Sequence, residues 1–145
     1  MPGIVFDTNI WISYSPITFP RSHQMSVVVL QELIAGAVDN TVVKKYEAAG
    51  KKYQQEGTLL VPTADDWLMA GRILNALLRG KKSKHRGKTP RLPDHEKQRT
   101  IRDVLIARSV KRIGATLVTN NLKDFNEIHR FCSLRIKSGN EFFSS

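Results

Sequence analysis

The sequence predicts an α/β fold built on a parallel sheet. Short apolar segments alternate with longer segments whose apolar residues recur every three or four positions, the patterns of buried strands and amphipathic helices. The 145 residues suit one domain, and 41% hydrophobic with 25% charged residues is the balance of a folded chain. We therefore expect a single domain over 1–145, with right-handed crossovers between its parallel strands.

Five segments have the length and apolar content of strands buried in a parallel sheet. In chain order they are 3–6, the front half of 25–37, 58–61, 115–119 and 133–136. Asp7-Thr8-Asn9 ends the first strand with turn and capping side chains, and Pro62 ends the third. The segment 25–37 is predicted to become helical from Leu30.

Five helices are predicted from apolar stripes and capping residues. In chain order they cover 30–37, 41–55, 67–80, 101–113 and 122–128. Asp39 is placed to cap the second helix and Gly57 to stop it. Thr63 and Asp66 have the spacing of a capping box ahead of the third.

Positive charge is concentrated in one segment. The chain has 23 Lys and Arg against 13 Asp and Glu, a formal net charge of +10, and the segment 79–102 contains ten of these bases and two of the acids. Its central part, 80–99, has two prolines, two glycines and no apolar periodicity, so we predict a basic loop or arm. Such a run of charged residues is usually a solvated loop. A role in binding a polyanion is favoured only if an acidic site lies beside it.

Several classes of protein and site are excluded at this stage. The single cysteine, Cys132, rules out an internal disulfide framework and a multi-cysteine metal centre. The four histidines show no ligand spacing. The N-terminus lacks the features of a signal peptide, and no segment reaches the ~18 apolar residues that cross a bilayer. We expect a cytoplasmic protein without a membrane partner.

Several acidic residues lie where parallel sheets usually form a ligand-binding site. Ligands of open parallel sheets bind outside the carboxyl ends of strands; Asp7 follows the first strand, and Asn121 and Asp124 follow the fourth. Glu32 lies in an apolar run, and Asp103 is predicted in the first turn of its helix. Converging carboxylates repel one another, so either one is protonated or a cation lies among them. Oxygen donors favour Mg²⁺ or Mn²⁺, and a basic surface beside them is expected of a nucleic-acid phosphodiesterase.

Each acid also has a structural interpretation. Asp7 is a suitable helix N-cap, and Asp103 would be favoured by the dipole of a first helical turn. Glu32 could pair with an arginine, as buried charges do. Asp124 could cap or pair locally.

Four motifs in order resemble the PIN-domain family, most closely its VapC-type toxin ribonucleases of toxin-antitoxin pairs. They are Val5-Phe6-Asp7-Thr8-Asn9, Leu30-Gln31-Glu32-Leu33-Ile34-Ala35-Gly36, Asp103-Val104-Leu105-Ile106-Ala107, and the segment 114–125. The resemblance implies a PIN-like three-layer sandwich with a central parallel five-stranded sheet in the order 3-2-1-4-5. It also implies metal-dependent endonuclease activity on RNA.

The resemblance carries over Asp7, Glu32 and Asp103 as acidic ligands of Mg²⁺ or Mn²⁺. Related chains often have an aspartate where Asn121 stands, so Asp124 or a water is expected to complete the metal site. Residues expected to position ligands or bind RNA are Thr119, Asn121, Lys81, Lys82, Lys84, Arg86 and Lys88. The implied partners are a small cognate antitoxin that blocks the pocket and a second copy of the chain in a homodimer.

Other functions remain open at this point. A catalytically inactive PIN-like module could bind RNA through the basic arm. A phosphoacceptor-aspartate domain fits Asp7 after the first strand but lacks a suitable lysine near the last strands. A haloacid-dehalogenase site would need a second aspartate, which Asp7-Thr8-Asn9 does not contain.

Overall fold

The computed structural model describes residues 3–84 and 92–144, the side chains of 81–84 excepted. Its strands are β1 (Ile4–Phe6), β2 (His23–Ser26), β3 (Leu59–Leu60), β4 (Thr116–Val118) and β5 (Arg135–Lys137). Its helices are α1 (Thr8–Ser13), α2 (Val27–Ala35), α3 (Asn40–Glu56), α4 (Ala64–Lys84), α5 (Asp94–Arg112), α6 (Leu122–His129) and α7 (Gly139–Phe143), with a 3₁₀ turn at Pro16–Thr18. In the described part of the chain, no helix is both long and apolar enough to cross a membrane.

The five strands form one parallel sheet in the order β3-β2-β1-β4-β5, which confirms the predicted order. The connections proceed outward in opposite directions on the two sides of the β1/β4 pair, so this pair is the switch point of the sheet. Phe6 faces Val118 at the ends of these two strands, and the Asp7 amide donates to the Val118 carbonyl at 2.9 Å. Asp7 and Thr119 therefore leave the sheet side by side.

Side chains alternate along β1 and β4 and divide the core into two layers. Val5 and Leu117 belong to a large cluster that includes α2 and α5, whereas Phe6 and Val118 belong to a smaller, aromatic cluster with α1 and α7. Alternate residues of a strand point to opposite faces. The sheet is thus covered on both sides, as the predicted three-layer sandwich requires.

Capping residues in the sequence predicted several helix ends correctly. The Asp39 carboxylate accepts from the Val42 amide at 2.9 Å and caps α3, and Gly57 closes that helix at a φ of 73°. Thr63 and Asp66 make both bonds of a capping box, with each side chain accepting from the other residue's amide. The short helices α1 and α7 were not predicted.

The boundary between β2 and α2 was predicted too late in the chain. The helix begins at Val27, and the hydroxyl of Ser26 accepts from the amides of Val28 and Val29. These valines are buried, and a short run of buried β-branched residues fits a strand or a helix equally well. The serine cap decides between the two.

The prediction of a loop over 80–99 is wrong at both ends of that segment. Helix α4 continues through Gly80 to Lys84, because lysine is a good helix former and one glycine costs only about 1 kcal/mol. Helix α5 begins at Asp94, directly after Pro93, with Asp94 and Glu96 in the first turn where the helix dipole favours acids. Residues 85–91 of the predicted arm lie outside the described residues.

Candidate active site

Asp7 stands at the carboxyl end of β1 with both carboxylate oxygens hydrogen-bonded. Oδ1 accepts from the Thr8 amide at 2.8 Å, so the residue does cap α1. Oδ2 accepts from the Thr119 hydroxyl at 2.8 Å and from the Asn9 amide group at 3.2 Å. Burial raises the pKa of Asp7, and these three hydrogen bonds act to lower it. The carboxylate is fixed in place at the switch point of the sheet.

Asp103 lies in the third turn of α5, because the helix begins nine residues earlier at Asp94. The first-turn dipole interpretation is therefore excluded for this residue. Its side chain is buried, and its pKa is raised to about 8, first by burial and then by the negative charges of Asp7, Asp124 and Glu32. All four predicted acids thus act on one another at a single place.

Glu32 comes from α2 and is paired with an arginine, as one of its interpretations held. Its Oε1 lies 3.8 Å from Nε of Arg102, and both side chains are about one-third exposed. Burial raises the pKa of Glu32, the charge of Asp7 raises it further, and Arg102 opposes these effects. Although Glu32 is paired with Arg102, the negative charge of Asp7 still acts on it.

Asp124 is in the first turn of α6 and has two polar neighbours. Its Oδ2 accepts from the Asn121 amide group at 3.1 Å and lies 3.9 Å from Nε of Arg99. The backbone amide of Asn121 donates to the Thr119 hydroxyl at 2.9 Å. The side-chain amide of Asn121 therefore helps to hold the carboxylate of Asp124 in place.

Thr119 links the acids that follow the two central strands. Its side chain is fully buried, and its hydroxyl donates to Asp7 while it accepts from Asn121. From this place its hydroxyl orients Asp7. The contact between Thr119 and RNA expected from the sequence stays a prediction.

Three polar residues of the site were missed by sequence analysis. Asn9 donates to Asp7 and accepts from the Asn120 amide at 3.0 Å; its position in the Asp7-Thr8-Asn9 motif was the available signal, interpreted only as a turn. Arg99 and Arg102 precede Asp103 by four residues and one residue. Arg99 fell in the segment predicted as a loop, and Arg102 fell at the start of the helix predicted over 101–113, where nothing in the sequence marked its pairing with Glu32.

One cavity adjoins Asp103 and Asp124, and another lies beside Arg102. A polar cavity of about 190 Å³ is lined by Asp103, Asp124, Arg99 and Lys123, among others. A larger and more apolar cavity of about 520 Å³ lies between α2, α4 and α5, and Arg102 lines it. The predicted RNA contacts Arg86 and Lys88 lie outside the described residues, and of Lys81, Lys82 and Lys84 only the helical backbone is described.

A divalent cation such as Mg²⁺ needs several oxygen ligands close together. Within residues 3–84 and 92–144, no three His, Cys, Asp or Glu side chains stand close enough together to enclose a metal ion. The chemistry of the four acids nevertheless fits a hard cation: all donors are oxygens, and the negative charges of Asp7, Asp124 and Glu32 add to burial in raising the pKa of Asp103 to about 8. A positive ion among them would relieve the repulsion between these charges.

Comparisons with solved structures agree with this fold. VapBC-1 from nontypeable Haemophilus influenzae contains a chain that is 22% identical, with a TM-score of 0.57 over 94% of this chain and 97% of that one. VapBC from Salmonella typhimurium bound to DNA gives 22% identity and a TM-score of 0.53 over 95% and 98% of the two chains. FitAB bound to an IR36 DNA fragment gives 15% identity and 0.51 over 93% and 94%. No family model and no curated protein matches the sequence. The likenesses show a PIN-like fold, the fold that the four sequence motifs implied.

Proposed function

We propose that this chain is a metal-dependent endoribonuclease and the toxin of a toxin-antitoxin pair. The observation that carries the proposal is that Asp103 is buried near three other acids from three other elements, whose negative charges add to burial in raising its pKa to about 8. Its PIN-like fold, shared with chains of VapBC complexes, supports the same assignment. The formal net charge of +10 suits a polyanionic substrate.

The roles of the acids follow from their surroundings. Asp7 and Asp103 would hold Mg²⁺ or Mn²⁺, with Glu32 binding the cation or orienting water and Asp124 completing the set. When bound, such a cation lowers the pKa of a water and offsets negative charge on the phosphate. Thr119 and Asn9 keep Oδ2 of Asp7 in one orientation through their hydrogen bonds.

The reaction proposed is hydrolysis of an RNA phosphodiester bond. Water adds across the bond, its oxygen joins phosphorus, and its proton passes to the leaving ribose oxygen. The products are a phosphate monoester and a free hydroxyl. Glu32 would take this proton from the water and pass it on to the leaving oxygen, and its raised pKa makes its carboxylate a stronger base.

The partners proposed are a small antitoxin, a second copy of the chain in a homodimer, and an RNA substrate. The antitoxin is supported by the solved likenesses, which are VapBC and FitAB complexes. A cytoplasmic location is proposed with them, because an antitoxin and cellular RNA must both reach the site.

The proposal is tested by cleavage of a labelled structured RNA with Mn²⁺ or Mg²⁺. Asp7→Asn and Asp103→Asn should each abolish cleavage and leave the thermal unfolding curve cooperative, since asparagine caps a helix as well as aspartate. Asp65→Asn, at an acid that is 77% exposed on α4, is the matched control and should cleave normally. Full activity in either site variant, or in excess chelator, would overturn the proposal.

A second candidate is a catalytically inactive RNA-binding module. It is favoured by two observations within the described residues: no three metal-type side chains are close together, and Glu32 and Asp124 are both paired with arginines. Binding of the same RNA without any cleavage in Mn²⁺ would establish it.

A further inference from the structure

Two arginines of α5 lie close to Asp103 in the helix. Arg99 and Arg102 are three residues apart, a spacing that places both on one face of a helix. Each reaches an acid on a different element: Nε of Arg99 lies 3.9 Å from Asp124 on α6, and Nε of Arg102 lies 3.8 Å from Glu32 on α2. The two guanidinium groups are therefore directed toward different acids of the site.

Neither guanidinium group is fully engaged by its acid. Both distances exceed the length of a normal hydrogen bond. Within the described residues, Nε of Arg102 is buried without a hydrogen-bond partner, an arrangement that costs free energy unless a ligand supplies one. The side chain of Arg99 is 54% exposed. Because a guanidinium has five N–H donors, both arginines retain donors for another anion.

The two arginines also open into different cavities. Arg99 and Lys123 line the polar cavity beside Asp103 and Asp124. Arg102 lines the larger cavity, together with Gln31 and Trp67. Each arginine therefore borders space in which an anion can approach it.

We propose that Arg99 and Arg102 form a clamp that holds RNA phosphates beside Asp103. The proposal rests on the proposed function, since it assumes that RNA lies across Asp103. Guanidinium groups match phosphate oxygens in a two-pronged geometry that a lysine cannot reproduce. The loose pairing with Glu32 and Asp124 in the free chain leaves both guanidinium groups able to bind a phosphate instead.

The alternative is that the arginines only neutralise two acids. Both pairs are partly exposed, and such pairs contribute little to stability. The two explanations differ in their effect on RNA binding in the absence of a divalent cation. A neutralising arginine affects RNA only through overall charge, whereas a clamp contacts the phosphate.

The test measures affinity of the full chain for a labelled RNA in EDTA, where cleavage is not required. Arg99→Gln and Arg102→Gln should each weaken binding about tenfold, the value of one lost charge-assisted hydrogen bond. Each should also reduce the slope of log affinity against log salt by about 0.7. Lys97→Gln removes one charge from the same helix, at a residue 4.0 Å from Asp94, and is the matched control; its binding should change less than about threefold.

Two further variants separate the clamp from a structural effect. Arg102→Lys should keep the salt slope and still lose affinity, because it keeps the charge and loses the fork. Glu32→Gln should bind RNA in EDTA at least as tightly as wild type, since it frees Arg102 and removes a negative charge. If Arg102→Gln fails to fold, Arg99→Gln at an exposed position still decides the question.

The outcomes for the clamp and the proposed function are distinct. Arginine variants that match Lys97→Gln in a chain that cleaves RNA overturn the clamp alone. A wild-type chain that binds RNA with these arginines but never cleaves it in Mn²⁺ supports the clamp and overturns the ribonuclease. A wild-type chain that does not bind RNA at all overturns both.

Discussion

The hydroxyl of Thr119 donates a 2.8 Å hydrogen bond to Oδ2 of Asp7, joining the residues that follow the two central strands. This hydroxyl also accepts from the backbone amide of Asn121, so its hydrogen is directed toward the carboxylate. Both residues are buried. The orientation of Asp7 is thus set by a neighbouring strand end as well as by the helix that it caps.

Replacing Thr119 should impair catalysis through Asp7. Thr119→Val removes the donor and leaves a buried carboxylate less satisfied, which costs about 1–3 kcal/mol and raises the pKa of Asp7 further. We expect kcat/KM for RNA cleavage to fall at least about tenfold, with a lower melting temperature. Thr119→Ser keeps the hydroxyl and should retain most activity. Equal activity in the valine and serine variants would contradict the positioning role.

The ion-pair cluster between α4 and α5 should be the most sensitive polar site for stability. Asp66 is buried and accepts from Nε of Arg108 at 3.0 Å, from Arg112 and from the Thr63 amide at 2.9 Å. Asp66→Ala removes the buried acceptor of these donors and should lower the free energy of unfolding by about 1.5–3 kcal/mol, measured by urea denaturation.

Asp65 provides the comparison for that experiment. It also pairs with Arg108, at 2.8 Å, but its side chain is 77% exposed. Asp65→Ala should therefore cost no more than about 1 kcal/mol. Similar losses in the two variants would show that burial does not control the strength of this cluster.

Elements with local signals were predictable from the sequence, and elements without them were not. Asp39 and Gly57 bound α3 through bonds made within a few residues, so its limits were predicted to within one residue. The start of α5 could not be predicted, because the segment is charged and has little apolar periodicity. The helix packs against α4, which is a tertiary contact that the local sequence does not show. The four acids were found because motif order and strand ends locate them. Arg99 was missed because the pattern did not show the first turns of α5, and Arg102 was missed because its contact with Glu32 joins elements far apart in the chain.

The basic segment should contribute to RNA binding in proportion to its charge. Neutralising Lys81, Lys82, Lys84, Arg86 and Lys88 together should weaken binding and flatten its salt dependence. Each lost phosphate contact on a single strand should reduce the slope of log affinity against log salt by about 0.7. The measurement is RNA affinity between low and physiological salt, with the four lysines of α3 (Lys44, Lys45, Lys51 and Lys52) neutralised as a control and the change compared per charge. An unchanged slope would show that the segment is a solvated surface that does not contact RNA.

The pKa of Asp103 predicts how pH changes the stability of the metal-free chain. The carboxyl has a pKa of about 8 when folded against an ordinary value of 3.8, so the folded state binds an extra proton between these pH values. Its stabilising contribution is complete below about pH 4 and is lost as pH rises through about 8; a shift of this size corresponds to several kcal/mol.

Asp103→Asn should isolate this contribution, because an amide remains neutral at every pH. In EDTA, we expect the variant and the wild type to have similar melting temperatures near pH 5, where Asp103 is protonated. Near pH 9 the variant should melt at a higher temperature, because the wild type then carries a buried charge repelled by Asp7, Asp124 and Glu32. Asp65→Asn, at an exposed acid, should show the same difference from wild type at both pH values. A divalent cation should raise the melting temperature of the wild type at pH 9 more than that of Asp103→Asn, since it offsets the charge that only the wild type carries.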